Sequence, residues 1–232
     1  MSYQLTKSKF IHGLQCEKAL YLDVFDPSKG YYPKETLDRF KKGRDFERRV
    51  KDCFPEGIDV SAKMLGHMSR YAPYTAKMLM CPGPVTLYEA GFEYDGVLVL
   101  ADIVTKDEDG SVTVYEVKDS DHVSEVFKMD VAIQHYVISH ALEAMMPHDI
   151  FCTQLMLKQF YLAYRNEETA PCVPYQTEDL FSFAQVQEPF VATNISRFKQ
   201  VLQEGPSPVT LDDHCQTPYP CPYLKYCGKG EL

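Results

Sequence analysis

The chain has 232 residues, 45% of them apolar and 25% charged, which suits one large domain or a core with a small appendage. Sixteen Tyr and thirteen Phe exclude a disordered chain, and no apolar run approaches the roughly eighteen residues of a membrane helix. A net charge of −9 excludes wrapping of nucleic acid by the whole surface, yet seven Lys and Arg crowd between Arg39 and Lys51. The opening MSYQLTKSKFIHG carries no apolar export segment, so the expected location is cytoplasmic.

Taken in chain order, Thr6 or Ser8 caps a first helix that runs through Leu22 and carries Cys16. Pro33 opens a long helix over 33–54, with Leu37, Phe40, Phe46, Val50 and Cys53 near helical spacing. Gly43 within it predicts close approach of another backbone. A short helix is expected within 70–81, after Pro73. Three strand-like runs follow, VTLYEAGFEY, GVLVLADIVT and SVTVYEVK, the last two joined by the turn KDEDG as an antiparallel hairpin. The pattern then predicts a helix from Ser124 to Met146 stopped by Pro147, strands in FCTQLMLKQFYLAY, and a helix from Glu178 to Glu204 stopped by Gly205-Pro206. No GxxxxGK[ST] or GxGxxG loop is present, which argues against nucleotide-driven chemistry.

The hairpin carries the sharpest chemical signal. Residues two apart on a strand share a face, so Glu116 and Lys118 project together. Folding symmetrically about Asp109 sets Asp102 opposite Glu116, where two carboxylates about 5 Å apart can share a cation. Magnesium or manganese suits such oxygen ligands, with the Val117 carbonyl as a further donor. In phosphodiester hydrolysis the metal polarises the phosphate, and Lys118 orients a water and stabilises developing charge.

Eight cysteines are more than packing requires in a reducing compartment. Cys53, Cys81, Cys152 and Cys172 are scattered and read as small buried hydrophobes. Cys215, Cys221 and Cys227 instead fall six residues apart in a Pro- and Tyr-rich tail that would fray unless held. Three thiolates converging on a metal would hold it.

The order Asp102, then Glu116-Val117-Lys118, then a helix bearing Gln134 and Tyr136, resembles the PD-(D/E)xK nuclease core of the RecB type. One cysteine near the N-terminus with three near the C-terminus is similar to the CRISPR-associated RecB-like exonucleases and the nuclease domain of the AddB helicase–nuclease subunit. SKFIHGLQCEKALYL and CQTPYPCPYLKYC also resemble a family of uncharacterised bacterial proteins allied to them. The resemblance spans nearly the whole chain. It implies an α/β fold: a central mixed sheet with an antiparallel hairpin, flanked by helices, the chain ends joined by a metal cluster. Residues 1–30 and 205–232 would form the cluster module and 31–204 the nuclease core.

By that resemblance Asp102 and Glu116 are metal ligands, Lys118 the catalytic lysine, and Gln134 and Tyr136 residues that contact DNA or order the site. The helix 33–54 would add a ligand, often His; here Gly43-Arg44-Asp45-Phe46 is followed by Glu47, a hard donor. Gln134-His135-Tyr136 departs from the usual Gln-x-x-x-Tyr spacing, since Ile138 holds the later position. The cysteine pattern implies a structural 4Fe-4S cluster on Cys16, Cys215, Cys221 and Cys227. The expected function is a metal-dependent deoxyribonuclease, an exonuclease on single-stranded DNA or DNA ends. Its partners would be DNA and a helicase or CRISPR adaptation proteins, with no membrane. The rival reading is a non-catalytic DNA-binding or adaptor subunit with zinc in place of the cluster. The intact Asp102, Glu116 and Lys118 weigh against it, and an electron carrier leaves them unexplained.

Overall fold

A computed structural model describes residues 5–145, 154–165 and 173–229. The chain begins with β1 (Leu5–Thr6), α1 (Lys7–Gln15), α2 (Glu17–Phe25), α3 (Lys34–Lys51), β2 (Ile58–Asp59), α4 (Val60–Met64) and α5 (Tyr71–Leu79). The meander β3 (Val85–Tyr94), β4 (Val97–Lys106) and β5 (Ser111–Lys118) leads to α6 (Glu125–Met145). Then come β6 (Met156–Arg165), β7 (Tyr175–Asp179), α7 (Phe181–Val186), α8 (Glu188–Glu204) and α9 (Leu224–Lys229).

The fold is α/β, with a mixed seven-stranded sheet flanked by helices. Its strand order is β2-β3-β4-β5-β6-β7, with β1 pairing in parallel against the start of β4. The meander is antiparallel, and α6 carries the chain across to β6, which lies parallel to β5. Helix α6 lacks a single apolar stripe because it is covered on most sides: all nine residues from Asp130 to Ile138 are buried. One face of the sheet closes over the main core, and a smaller cluster of Ile103, Val117 and Ala163 receives Phe46 and Val50 from α3.

Several boundaries differ from the expected ones. The first helix is broken at Cys16, whose extended backbone ends α1 and begins α2, with its amide donating to the His12 carbonyl. The expected last helix begins instead as strand β7, and a second break at Gln187 lets Pro189 start α8. The side chain of Asp179 accepts from the Phe181 amide at that turn. Gly43 is a correction: a Cβ added there meets nothing within 4 Å, because the first half of α3 is largely exposed, with Arg39 over the Tyr219 ring at 5.4 Å. Close approach occurs at Gly13 of α1, where an added Cβ would meet the Phe198 ring at 2.8 Å. That contact, with Phe10 edge-on to Phe198 at 5.4 Å, seats α1 on α8 and so aims Lys7. Cys152, Cys172 and the predicted stop at Met146-Pro147 lie outside the described residues.

Candidate functional site

The β4–β5 ladder runs from Lys106↔Val112 to Ile103↔Tyr115 and stops one residue short of Asp102 and Glu116. There the Val117 amide donates to Asp102 Oδ2 at 2.7 Å. On the other side of β4, the β3 ladder passes from Tyr88↔Ile103 to Ala90↔Ala101, which puts Glu89 beside Asp102. Glu89 adopts φ +53°, a left-handed conformation that costs a non-glycine residue about 1–3 kcal/mol. Three neighbouring strands, β3, β4 and β5, thus carry Glu89, Asp102 and Glu116.

Glu47, one turn before the end of α3, completes a triad with Glu89 and Asp102. One carboxylate oxygen of each lies within 4.8 Å of the other two, and all three side chains are half-buried. Lys51, four residues on from Glu47, bridges Glu47 at 2.5 Å and Glu89 at 2.7 Å. Burial raises the Asp102 carboxyl well above its ordinary value, and the charges of Glu116, Glu47 and Glu89 add to this against the pull of Lys7. Burial alone would lower the Lys51 ammonium, but Glu89 and Glu47 outweigh it and push it up.

Glu116 stands outside the triad, 1% exposed, in a ring of cationic and amide donors. Lys118 Nζ lies at 2.7 Å, Lys7 Nζ at 2.7 and 2.9 Å, and Gln134 Nε2 donates at 2.7 Å. Lys118 also pairs with Asp130 at 2.5 Å, so two lysines and two carboxylates balance. Burial raises the Glu116 carboxyl, but Lys118 and Lys7 outweigh it and hold the group well below the usual range. Gln134 Oε1 is buried and has no hydrogen-bond partner among the described residues.

Of the residues singled out in the sequence, Glu47 and Asp102 meet in the triad, while Glu116, Lys118 and Gln134 meet beside it. Val117 contributes its amide to Asp102 and its side chain to the small core cluster. Tyr136 is placed elsewhere: its ring meets Tyr94 at 5.6 Å and His140 at 4.7 Å. Two residues along a helix turn about 200°, so Gln134 and Tyr136 cannot share a face, whereas Asp130 and Gln134 do. Glu89, Lys51, Lys7 and Asp130 were not anticipated. Glu89 had a signal: folding VTLYEAGFEY back through Asp95-Gly96 sets it opposite Asp102.

Cys16, Cys215, Cys221 and Cys227 line one cavity, with Ala19, Leu211 and His214 among its other walls. The elbow between α1 and α2 presents Cys16, and the tail is strapped over it. Gln15 Nε2 donates to the carbonyls of His214 and Tyr219, both at 2.8 Å, and the Tyr223 hydroxyl donates to Asp23 at 2.7 Å. Tyr223 itself is 2% exposed, so part of the docking is ordinary burial. Burial, then the charges of the other three, pushes the Cys221 thiol up to about 11. A bound cation would take up the charge of thiolates gathered in this cavity. Cys53 and Cys81 instead lie near helix carbonyls at 3.6 and 3.3 Å, outside this cavity.

No protein-family model and no curated protein matches the chain. A solved structure described as "Crystal structure of SSO0001" is similar at a TM-score of 0.45 and 12% identity, over 98% of this chain and 86% of that one. Among the described residues no helix is long and apolar enough to cross a membrane.

Proposed function

We propose that the chain is a divalent-metal-dependent deoxyribonuclease of the PD-(D/E)xK kind, an exonuclease on single-stranded DNA or DNA ends, with a structural 4Fe-4S cluster. The observation that carries this reading is the position of Asp102, which joins Glu47 and Glu89 on one side and adjoins Glu116 with its lysines on the other. The donor set fits a hard cation: three half-buried carboxylates in one place repel one another and offer oxygen only. Glu47, Glu89 and Asp102 would hold magnesium or manganese. When bound, the ion supplies positive charge at the phosphate and a more acidic water.

The chain's own residues supply the rest. Lys118 and Lys7 keep Glu116 ionised, and Gln134 fixes its orientation. Lys118 stands where an ammonium can stabilise charge on phosphate oxygens, steered by Asp130. Lys51 offsets the charge of Glu47 and Glu89 and holds both side chains in place. The cysteine cavity fits a bulky group. A cavity lined by all four thiols suits a cluster ringed by thiolates.

The test uses anaerobically purified protein with end-labelled single- and double-stranded DNA, in manganese or in EDTA. Metal-dependent release of label is expected, and Glu116→Ala and Lys118→Ala should each abolish it while circular dichroism stays unchanged. Full activity in both variants would place the chemistry elsewhere, and no cleavage by the unaltered protein would favour a DNA-binding role.

A further inference from the structure

Helix α3 leaves the body of the protein for a reason visible in its sequence. Phe46 and Val50 anchor its second half, but the same face in the preceding turns is Arg39 and Lys42, so nothing apolar continues the contact. The freed half nevertheless exposes large apolar side chains: Phe40 is 43% exposed, Leu37 52%, and Tyr32 just before the helix 40%. Tyr32 meets the Phe40 ring edge-on at 5.6 Å. The helix also concentrates charge. Its eight basic and four acidic residues give a net +4 in a chain whose total is −9.

Helical spacing puts Phe40, Gly43 and Glu47 on one stripe, Phe40 and Glu47 seven residues or about 10 Å of helix rise apart. Gly43 is the odd member. A glycine inside a helix costs about 1 kcal/mol relative to alanine, and here no neighbour in the chain requires the missing Cβ. Its effect is to leave the helix backbone bare between the exposed ring and the triad, where another backbone can approach closely.

We propose that this stripe is a track for an unpaired nucleic-acid strand: a base stacks on Phe40 and the sugar–phosphate backbone crosses Gly43 to reach Glu47, Glu89 and Asp102. The destination rests on the nuclease reading above; the track itself rests on exposure, charge and the bare glycine. Basic side chains with an aromatic platform are the combination that holds single strands without sequence preference. A paired duplex keeps its base faces stacked away from the ring, so the track selects single strands or frayed ends.

The experiment uses the full chain in EDTA with a single-stranded oligothymidylate carrying one 2-aminopurine, whose fluorescence is quenched on stacking. The unaltered protein should quench it. Phe40→Ala should remove the quenching and weaken single-strand binding about tenfold, the loss of one stacked base, with blunt-duplex binding changed less than twofold. Gly43→Leu should leave thermal stability equal or higher, since leucine is the better helix former, yet weaken single-strand binding comparably. Unchanged quenching and affinity in both variants would overturn the track. A parallel manganese cleavage assay separates the two readings. Cleavage without any dependence on Phe40 would refute the track and keep the nuclease, whereas Phe40-dependent quenching without cleavage would keep the track and refute the nuclease.

Discussion

Lys7 and Glu116 stand 109 residues apart in the chain, yet Lys7 Nζ lies 2.7 Å and 2.9 Å from the two oxygens of the Glu116 carboxylate. Helix α1, which begins at Lys7, ends against Cys16 in the cysteine cavity. One short, tightly packed helix thus joins the two chemically distinctive regions of the molecule.

Replacing Lys7 with Met removes one of the two ammonium groups on a buried carboxylate while leaving Lys118 and Gln134. The cost at pH 7 should be about 2 kcal/mol, short of the penalty for a fully orphaned buried charge. The sign with pH follows from the depressed Glu116 carboxyl. It contributes stability that is complete above about pH 4.3, the unfolded value, and is lost as pH falls. Without Lys7 the folded value rises, so acid unfolding should begin at higher pH. An acid titration followed by circular dichroism checks this; an unmoved midpoint would mean that the Lys7 contact carries no energy.

Glu89→Gln and Asp102→Asn should show effects of opposite sign with and without manganese. In EDTA each should leave the protein as stable or up to about 1 kcal/mol more so, because one of three repelling carboxylates is gone. In manganese each should lose most of the rise in melting temperature shown by the unaltered protein, together with cleavage. Equal manganese stabilisation in variants and parent would remove the triad as the cation site.

Cys16→Ser should act on both chain ends at once, since the elbow at Cys16 and the tail cysteines share the cavity. Iron and sulfide should fall to near zero, and proteolysis should nick the tail beyond Gly205. Cys53→Ser should change neither, because Cys53 lies elsewhere, just past the end of α3. About one zinc and no iron in the unaltered protein would replace the cluster with a zinc staple; no metal of either kind would exclude both.

His135 predicts a second pH dependence. The ring is 2% exposed, lies edge-on to Phe181, and is 3.4 Å from a Glu188 oxygen without a hydrogen bond on either nitrogen. Burial, then the nearby His140, holds it down to about 4. Such a group contributes stability that is present above about pH 6.5, its unfolded value, and is lost as pH falls toward 4. His135→Leu should therefore flatten the stability curve between those limits while leaving stability at pH 7 equal or higher. A variant that keeps the parent's slope would assign that dependence to other groups.

The local elements were largely legible because they rest on short-range rules. The alternation of β4 and β5 and the KDEDG turn set the hairpin, whose observed register runs to Ile103↔Tyr115, one step short of Asp102 and Glu116. Turn chemistry at Asp95-Gly96 would have extended the same reasoning to Glu89. The break at Cys16 was not legible, since no proline or capping side chain marks it, whereas that at Gln187 had a signal in Pro189, which favours a helix start. Tyr136, grouped with Gln134 through the family resemblance, packs instead against Tyr94 and His140.

By itself the sequence determined which residue types could do chemistry and the hairpin that carries them on adjacent strands, because turns and side-chain alternation are local. Only the tertiary structure decided the company those residues keep. Lys7, Glu47, Lys51 and Asp130 come from helices whose docking depends on the whole core, and no local pattern encodes which charges a buried carboxylate will meet. The convergence of Cys16 with the three tail cysteines is of the same kind: their spacing is written in the chain, but their meeting depends on α1 seating Gly13 against Phe198 and on Gln15 holding the tail.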